Sequence, residues 1–454
     1  MRAKFHLLRR KNLNATRIVA GSFAAIILLG ALLLNLPAAS QSGESPGLLT
    51  CLFTATSSTC VTGLVLVDTA TQWTFFGQVV ILAMIQMGGL GFITVMTLFS
   101  LMIRRKIGLS ERLILVSNFN LNNMNGVVRL VRYTLKWTFL FELGGALLLM
   151  TRFIPAYGWR DGIWFSVFHS VSAFCNAGFD LLGKGAPFQS LTPFQGDPVV
   201  LLTIMALIVI GGLGFFVWSD IAHRKETGRV SLYTKIVLTM TVSLVVLGAA
   251  IVLAVEYHNP GTLGEMPLWK KIINALFQSV TFRTAGFGTI DQGALRDSSL
   301  ALGCILMLIG GSSGSTAGGI KTGTVAVLAL SLWTDLKGGG EVVIGGRSLS
   351  RRQQSNAMTL TMTAMLLFIA GSMFLSLFEG LPYMSAAFEV ASALGTVGLT
   401  TGITPALSRV SRVLIILLMY LGRVGILSIS IAFAARRAGM ESKIKYPVTN
   451  VMIG

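Results

Sequence analysis

Apolar residues fall along this chain in runs of two lengths. Eight runs, at about 17–36, 75–103, 134–154, 198–219, 232–257, 298–333, 355–378 and 408–435, offer the roughly 20 residues that a hydrocarbon layer about 30 Å thick requires of a helix. Between the members of each pair lies a shorter run, at 48–59, 163–175, 269–282 and 383–395. At about 12 residues these are too short to cross, and the length suits a re-entrant half-helix. The pattern predicts an all-α membrane protein of eight transmembrane helices and four re-entrant half-helices.

Composition supports lipid as the solvent. Of 454 residues, 53% are hydrophobic and only 12% charged, with a mean hydropathy of +0.74; soluble chains carry about a quarter charged residues. A net charge of +18 is compatible with nucleic-acid binding, but its distribution points elsewhere. The N-terminus and the segments 104–136, 220–235, 335–352 and 436–445 hold 25 basic residues against six acidic ones. The intervening segments are net acidic, so the bias places both termini in the cytoplasm. No nucleic-acid motif accompanies it, although the basic inner surface leaves docking of an acidic partner open. The first apolar run continues to Leu36 without a small-residue cleavage site, so this helix is expected to stay. Cys51, Cys60, Cys175 and Cys304 lie in apolar surroundings without CxxC pairing and read as reduced packing residues. The four histidines are far apart, and no catalytic constellation emerges.

The short runs are related to one another. Each opens on an aromatic (Phe53, Phe168, Phe277, Phe388), continues through small or hydroxyl residues, and closes on Gly followed by Leu or Phe: Gly63-Leu64, Gly178-Phe179, Gly286-Phe287 and Gly398-Leu399, the third after a one-residue slip. Such spacing indicates duplicated units. The boundaries are 1–103 for the first repeat, 104–219 for the second, 220–334 for the third and 335–454 for the fourth, which includes a cytoplasmic tail. A dehydrated cation needs oxygens in place of its water shell, and backbone carbonyls supply them without net charge. Turning carbonyls toward one axis requires backbone that β-branched residues resist and glycine accepts. The candidate selectivity filter is Cys60, Val61, Thr62 and Gly63; Cys175, Asn176, Ala177 and Gly178; Arg283, Thr284, Ala285 and Gly286; and Gly395, Thr396, Val397 and Gly398. Half-helix carbonyl ends, each with roughly half a negative charge, would face the same centre. One glycine could merely turn the chain; four at matching places favour a potassium-binding ring about a pseudo-four-fold pore.

Downstream, Gly88-Gly89-Leu90-Gly91 and Gly211-Gly212-Leu213-Gly214 are near copies, read as close helix packing. The third repeat differs. Its run 310–323 contains Gly310, Gly311, Ser312, Ser313, Gly314, Ser315, Thr316, Ala317, Gly318, Gly319 and Lys321, and cannot make a stable membrane helix. Irregular backbone at that depth survives only beside water or protein, so the segment reads as an intramembrane gating loop; a packing kink is the alternative. Its likeness to a phosphate-binding loop fails on spacing and on the lack of a preceding strand. Arg423 lies inside the last span, where a mid-helix Arg costs about 2.5–3.5 kcal/mol. It reads as part of the gate, facing the pore, or else as the partner of Glu142. Arg283 could brace the third filter segment by donating to carbonyls.

These motifs together resemble the Trk/Ktr/HKT potassium transporter superfamily over nearly the whole chain, and look most like the membrane subunit of its Ktr branch. Val61-Thr62-Gly63, Asn176-Ala177-Gly178, Arg283-Thr284-Ala285-Gly286 and Thr396-Val397-Gly398 look like the family's four filters. The segment 310–321 resembles its gating loop, Gly422-Arg423 its pore arginine, and Lys445-Tyr446-Pro447 its C-terminal tail. The resemblance implies potassium uptake across the plasma membrane, sodium as activator or coupling ion, and a homodimer with one pore per subunit. It also implies regulation by a separate cytoplasmic ring of RCK-type nucleotide-binding subunits, since this chain carries no dinucleotide fingerprint. In plant relatives a serine at the first filter position accompanies sodium selectivity, so Gly63 argues for potassium. No cofactor and no enzymatic activity are implied. The alternatives are a secondary transporter coupling a small solute to a cation, which expects inverted halves, and a membrane scaffold, which leaves the four glycines without a use.

Overall fold

The computed structural model describes residues 2–91, 127–224, 228–344 and 346–425. The expected span ends 92–103 and 426–435, most of the loop 104–136, and the tail with Lys445-Tyr446-Pro447 lie outside the described residues. In chain order the helices begin with α1 (Arg2–Leu34), α2 (Leu48–Cys60), α3 (Thr69–Gln72), α4 (Phe75–Leu90), α5 (Val127–Phe174), α6 (Pro198–Leu213) and α7 (Phe215–Ala222). There follow α8 (Leu232–Glu256), α9 (Leu268–Phe282), α10 (Asp297–Leu308), α11 (Thr322–Leu336), α12 (Arg351–Glu379), α13 (Tyr383–Gly395) and α14 (Arg409–Val424).

Helix starts follow the local sequence. Asp68, Thr74, Asp197, Ser231 and Ser408 each accept a first-turn N–H through the side chain, and Ser350 with Gln353 forms a capping box. Among the described residues four helices, α1, α5, α8 and α12, contain a stretch long and apolar enough to cross a membrane. Their outward faces are apolar: Leu28, Leu29 and Leu32 on α1, Leu143 and Leu147 on α5, Val242 and Val246 on α8, and Leu366, Ile369 and Leu377 on α12 are all exposed. Water would penalise so much uncovered hydrocarbon, whereas lipid tails match it.

Helices occupy all four short apolar runs. Three are α2, α9 and α13, and the fourth is the C-terminal part of α5, set off by Gly158 at φ 80°. Their opening aromatics Phe53, Phe168, Phe277 and Phe388 are wholly buried in one continuous core.

The second long run of each pair departs from expectation. Read as continuous spans at 75–103, 198–219, 298–333 and 408–435, these segments are not helical throughout their described residues. α4 ends at Gly91 (φ 83°), α14 ends at Gly425 (φ 91°), and α6 meets α7 at Gly214 (φ 88°) with a bend of 92°. The third run stops at Leu308 and resumes as helix only at Thr322. At Gly91, Gly214 and Gly425 the physical reason is the left-handed backbone, which glycine adopts without a Cβ penalty and which no helix continues through, whereas the third run ends at Ile309 with φ −87°. Close packing alone is therefore not the use of Gly91 and Gly214. The all-α reading also missed a small antiparallel hairpin, β1 (Val343–Ile344) with β2 (Arg347–Ser348), between α11 and α12.

Candidate functional site

The backbone after each short helix follows one alternation. Val61, Asn176, Thr284 and Thr396 take φ between 52° and 66°, and two residues later Gly63, Gly178, Gly286 and Gly398 take φ between 69° and 99°. A left-handed residue at every second position turns successive carbonyls the same way, the geometry a coordinating strand requires. Three of the four non-glycines are β-branched, for which this region is an outlier costing about 1–3 kcal/mol.

What offsets that strain is a repeated tether. A hydroxyl residue four places after the aromatic, at Ser57, Ser172, Thr281 and Ser392, holds each strand to its helix. The Oγ of Ser57 accepts from Gly63 N–H and that of Ser392 from Gly398 N–H, both at 3.0 Å. Ser172 and Thr281 instead donate to the carbonyls of Phe179 and Phe287, both at 2.7 Å. The residue before each glycine also donates its N–H to the main-chain carbonyl of the same Ser or Thr, five residues back in three segments and four in the third. The one-residue slip thus falls between Thr281 and Ala285.

The four strands meet. A Cβ on Gly63 would strike the carbonyl of Ala177, one on Gly178 that of Ala285, one on Gly286 that of Val397, and one on Gly398 that of Thr62. Each glycine lies against the next segment and the last against the first, so the backbone closes into a ring in chain order. Carbonyls ringed this way, with four helix C-termini behind them, can replace the hydration shell of a cation. Among the described residues no cluster of His, Cys, Asp or Glu could hold a metal.

Below the ring, the helices that follow pack through glycine. A Cβ on Gly88, Gly211 or Gly422 would run into the carbonyl of Thr59, Phe174 or Leu394, each four residues before a ring glycine. Gly211→Val is expected to destabilise the protein by about 1–3 kcal/mol through overpacking. Lower thermal stability in detergent would register it, with Gly21→Val, where nothing lies within 4 Å, as the neutral control.

The segment after α10 is a closed loop and not a loose kink. Its base is laced by Ile320 N–H to Leu308 O (3.0 Å), Gly310 N–H to Ile320 O (2.9 Å) and Thr322 N–H to Gly311 O (3.1 Å). Its tip is tied to the break between α6 and α7: Ser312 N–H donates to Gly212 O at 3.0 Å, and Phe215 N–H to Gly314 O at 2.9 Å. Thr316 Oγ1 reaches Phe174 O at 3.1 Å and Asn176 Oδ1 at 3.3 Å, touching the second strand of the ring. Lys321 folds back on its own loop, with Nζ 2.7 Å from Ala317 O.

Arg423 joins these parts. Its guanidinium donates to Thr316 O in the loop and to Gly88 O and Gly89 O at the end of α4. The alternative pairing with Glu142 is not made. Glu142 accepts instead from Gln86 Nε2 of α4, at 2.9 and 3.2 Å. Arg283 is buried, and among the described residues its one hydrogen bond to a carbonyl is long, 3.5 Å from Nη2 to Gly310 O. The four cysteines are free and buried. Sequence reasoning missed the left-handed Val61, Asn176, Thr284 and Thr396, the breaks at Gly91 and Gly214, and the Thr316–Asn176 contact. The copied GGLG motif was the available signal for the breaks.

Comparison with known proteins places nearly the whole chain in one family. The family model described as "TrkH: Cation transport protein" matches residues 9–443. The potassium/sodium uptake protein NtpJ of Enterococcus hirae is 41% identical over 449 residues, covering 98% of each chain. The Ktr system potassium uptake protein B of Bacillus subtilis is 40% identical over 438 residues, covering 96% of each. Among solved structures, the potassium transporter TrkH from Vibrio parahaemolyticus superposes with a TM-score of 0.73 at 18% identity, over 92% of this chain and 84% of that one, a likeness of fold. With a family model spanning nearly all of it and relatives this similar end to end, the chain belongs to the TrkH family of cation transport proteins.

Proposed function

We propose that the protein carries potassium into the cell across the plasma membrane through a pore whose selectivity filter is the ring at Gly63, Gly178, Gly286 and Gly398. The observation that carries this is the closed ring itself: four left-handed strands in chain order, each followed by a glycine that admits no Cβ. Relatives named as potassium uptake proteins support the choice of ion. The four units, 1–103, 104–219, 220–334 and 335–454, then each contribute an outer helix, a half-helix, a filter strand and a broken inner helix. Eight spans with both termini cytoplasmic follow from the basic bias of the inner segments.

The loop 310–321, held by Lys321 and Arg423, is the gate. Carbonyls of Thr316 and of Gly88 are engaged by one guanidinium, so opening requires those bonds to be exchanged for water. Regulation by a separate cytoplasmic nucleotide-binding ring, assembly as a homodimer and dependence on sodium complete the proposal, in line with the basic inner surface and the family resemblance.

Rubidium uptake in a host that cannot grow at low potassium tests the reading. Expression should restore saturable uptake, enhanced by external sodium and by a co-expressed regulator. Absence of uptake at normal membrane levels, with the regulator present, overturns it. Deleting 312–319 should give a leak that persists without the regulator; a tightly closed deletion protein would remove the loop from the gate.

A further inference from the structure

The residue after the opening aromatic of each short run is Thr54, His169, Gln278 or Glu389. All four are buried to within 1% of complete. In two of the four units this residue latches the chain beyond the ring. Gln278 and Gln292 exchange amide hydrogen bonds, Gln292 lying six residues past Gly286. Glu389 accepts from Thr404 at one carboxylate oxygen and from Thr400 at the other, the latter at 2.7 Å; these threonines lie six and two residues past Gly398. In the other two units the equivalent atoms, Thr54 Oγ1 and His169 Nε2, have no hydrogen-bond partner among the described residues. The latch therefore occupies the same pair of positions in the third and fourth units, and only in the fourth is its acceptor an ionisable carboxyl.

Among the described residues no basic side chain pairs with that carboxyl. The ion pairs found among the described residues, Arg152–Asp197 and Lys184–Asp161, do not involve Glu389. Two neutral hydroxyls satisfy its oxygens but do not neutralise it, and an uncompensated buried carboxylate is costly. The positive charge that transport brings to this neighbourhood is the cation in the ring.

We propose that Glu389 is the fixed counter-charge for the cation bound in the filter, acting through the Thr400–Thr404 segment as a positioning residue that sets cation affinity. The inference rests on the filter assignment above and deepens it. A bound cation lowers the cost of the buried charge, and the charge in turn strengthens binding at the ring.

The test is rubidium uptake kinetics at matched membrane levels. Glu389→Gln keeps the shape and removes the charge, and is expected to raise the KM for rubidium about tenfold while Vmax changes less than about twofold. Adding Gln278→Glu returns a carboxylate at the equivalent site of the third unit, where Gln292 can still donate to it, and should recover most of the affinity. An unchanged KM in Glu389→Gln, or a raised KM that Gln278→Glu does not recover, reduces Glu389 to a structural latch and overturns the proposal. If Glu389→Gln does not reach the membrane, Gln278→Glu alone decides: two charges should lower KM, and an unchanged KM overturns the proposal. Gly398→Ser separates the two levels. Altered potassium–sodium discrimination there, with unchanged KM in Glu389→Gln, sinks only this inference; unaltered discrimination takes the filter assignment down with it.

Discussion

Gly63→Ser is expected to lower the ratio of potassium to sodium uptake at least about tenfold, leaving a protein that still reaches the membrane. The cause is geometric. Gly63 sits at φ 96°, and a Cβ there would lie 2.5 Å from the carbonyl oxygen of Ala177, the oxygen contributed by the neighbouring strand. Relief is available by moving that carbonyl off the axis or by relaxing the left-handed turn at Gly63. In the proposed filter, either removes an oxygen from the carbonyl ring that would stand in for potassium's water shell, and sodium, which holds its water more tightly, gains relative to potassium. A hydroxyl at this position also offers an oxygen nearer the axis, suited to a smaller or partly hydrated ion. Competitive uptake of rubidium against sodium, normalised to protein in the membrane, measures the effect. An unchanged ratio would remove Gly63 from the filter. The same substitution at Gly286, where the oxygen met belongs to Val397, should act in the same direction, because the ring is closed and each glycine guards its neighbour's carbonyl.

Much of this arrangement was legible in residue pattern, and the remainder was hidden for identifiable reasons. Run length alone located α2, α9 and α13, because an apolar stretch of about 12 residues has few uses in a membrane. The ring glycines were legible because they recur beside a shared aromatic. The left-handed Val61, Thr284 and Thr396 were not, since β-branched residues argue against that conformation. They are held in it by Ser57, Thr281 and Ser392, whose role emerges only once the strand folds back on its helix. Gly91 and Gly214 had two compatible readings, packing and breaking. Gly88 and Gly211, three residues earlier, show that a single motif contains both. The partners of Arg423 were unreadable for another reason: they are backbone carbonyls, which carry no residue identity. The search for a charged partner led to Glu142, an acid that is satisfied by Gln86.

Arg423→Ala should raise the maximal rate of uptake several-fold and weaken control by any cytoplasmic regulator. One guanidinium holds Thr316 O, at the tip of the loop, against Gly88 O and Gly89 O, where α4 ends. Its removal frees three carbonyls that then need other donors, and water entering beneath the ring is the ready source. Each hydrogen bond from a charged donor is worth about 1.5–3 kcal/mol net. A loss of about 1.4 kcal/mol in the closed state alone would shift a two-state gate tenfold toward open. If the proposed path runs past Arg423, removing its positive charge also lowers the barrier to a cation, so both effects act in one direction. Arg423→Lys separates them. An ammonium keeps the charge but lacks the fork that reaches loop and helix together, so a rate near that of Arg423→Ala assigns the control to the tether, and a rate near the native value assigns it to the charge. Loss of protein from the membrane in both variants, with no gain in rate per molecule, would instead make Arg423 a packing element and return the gate to the loop alone.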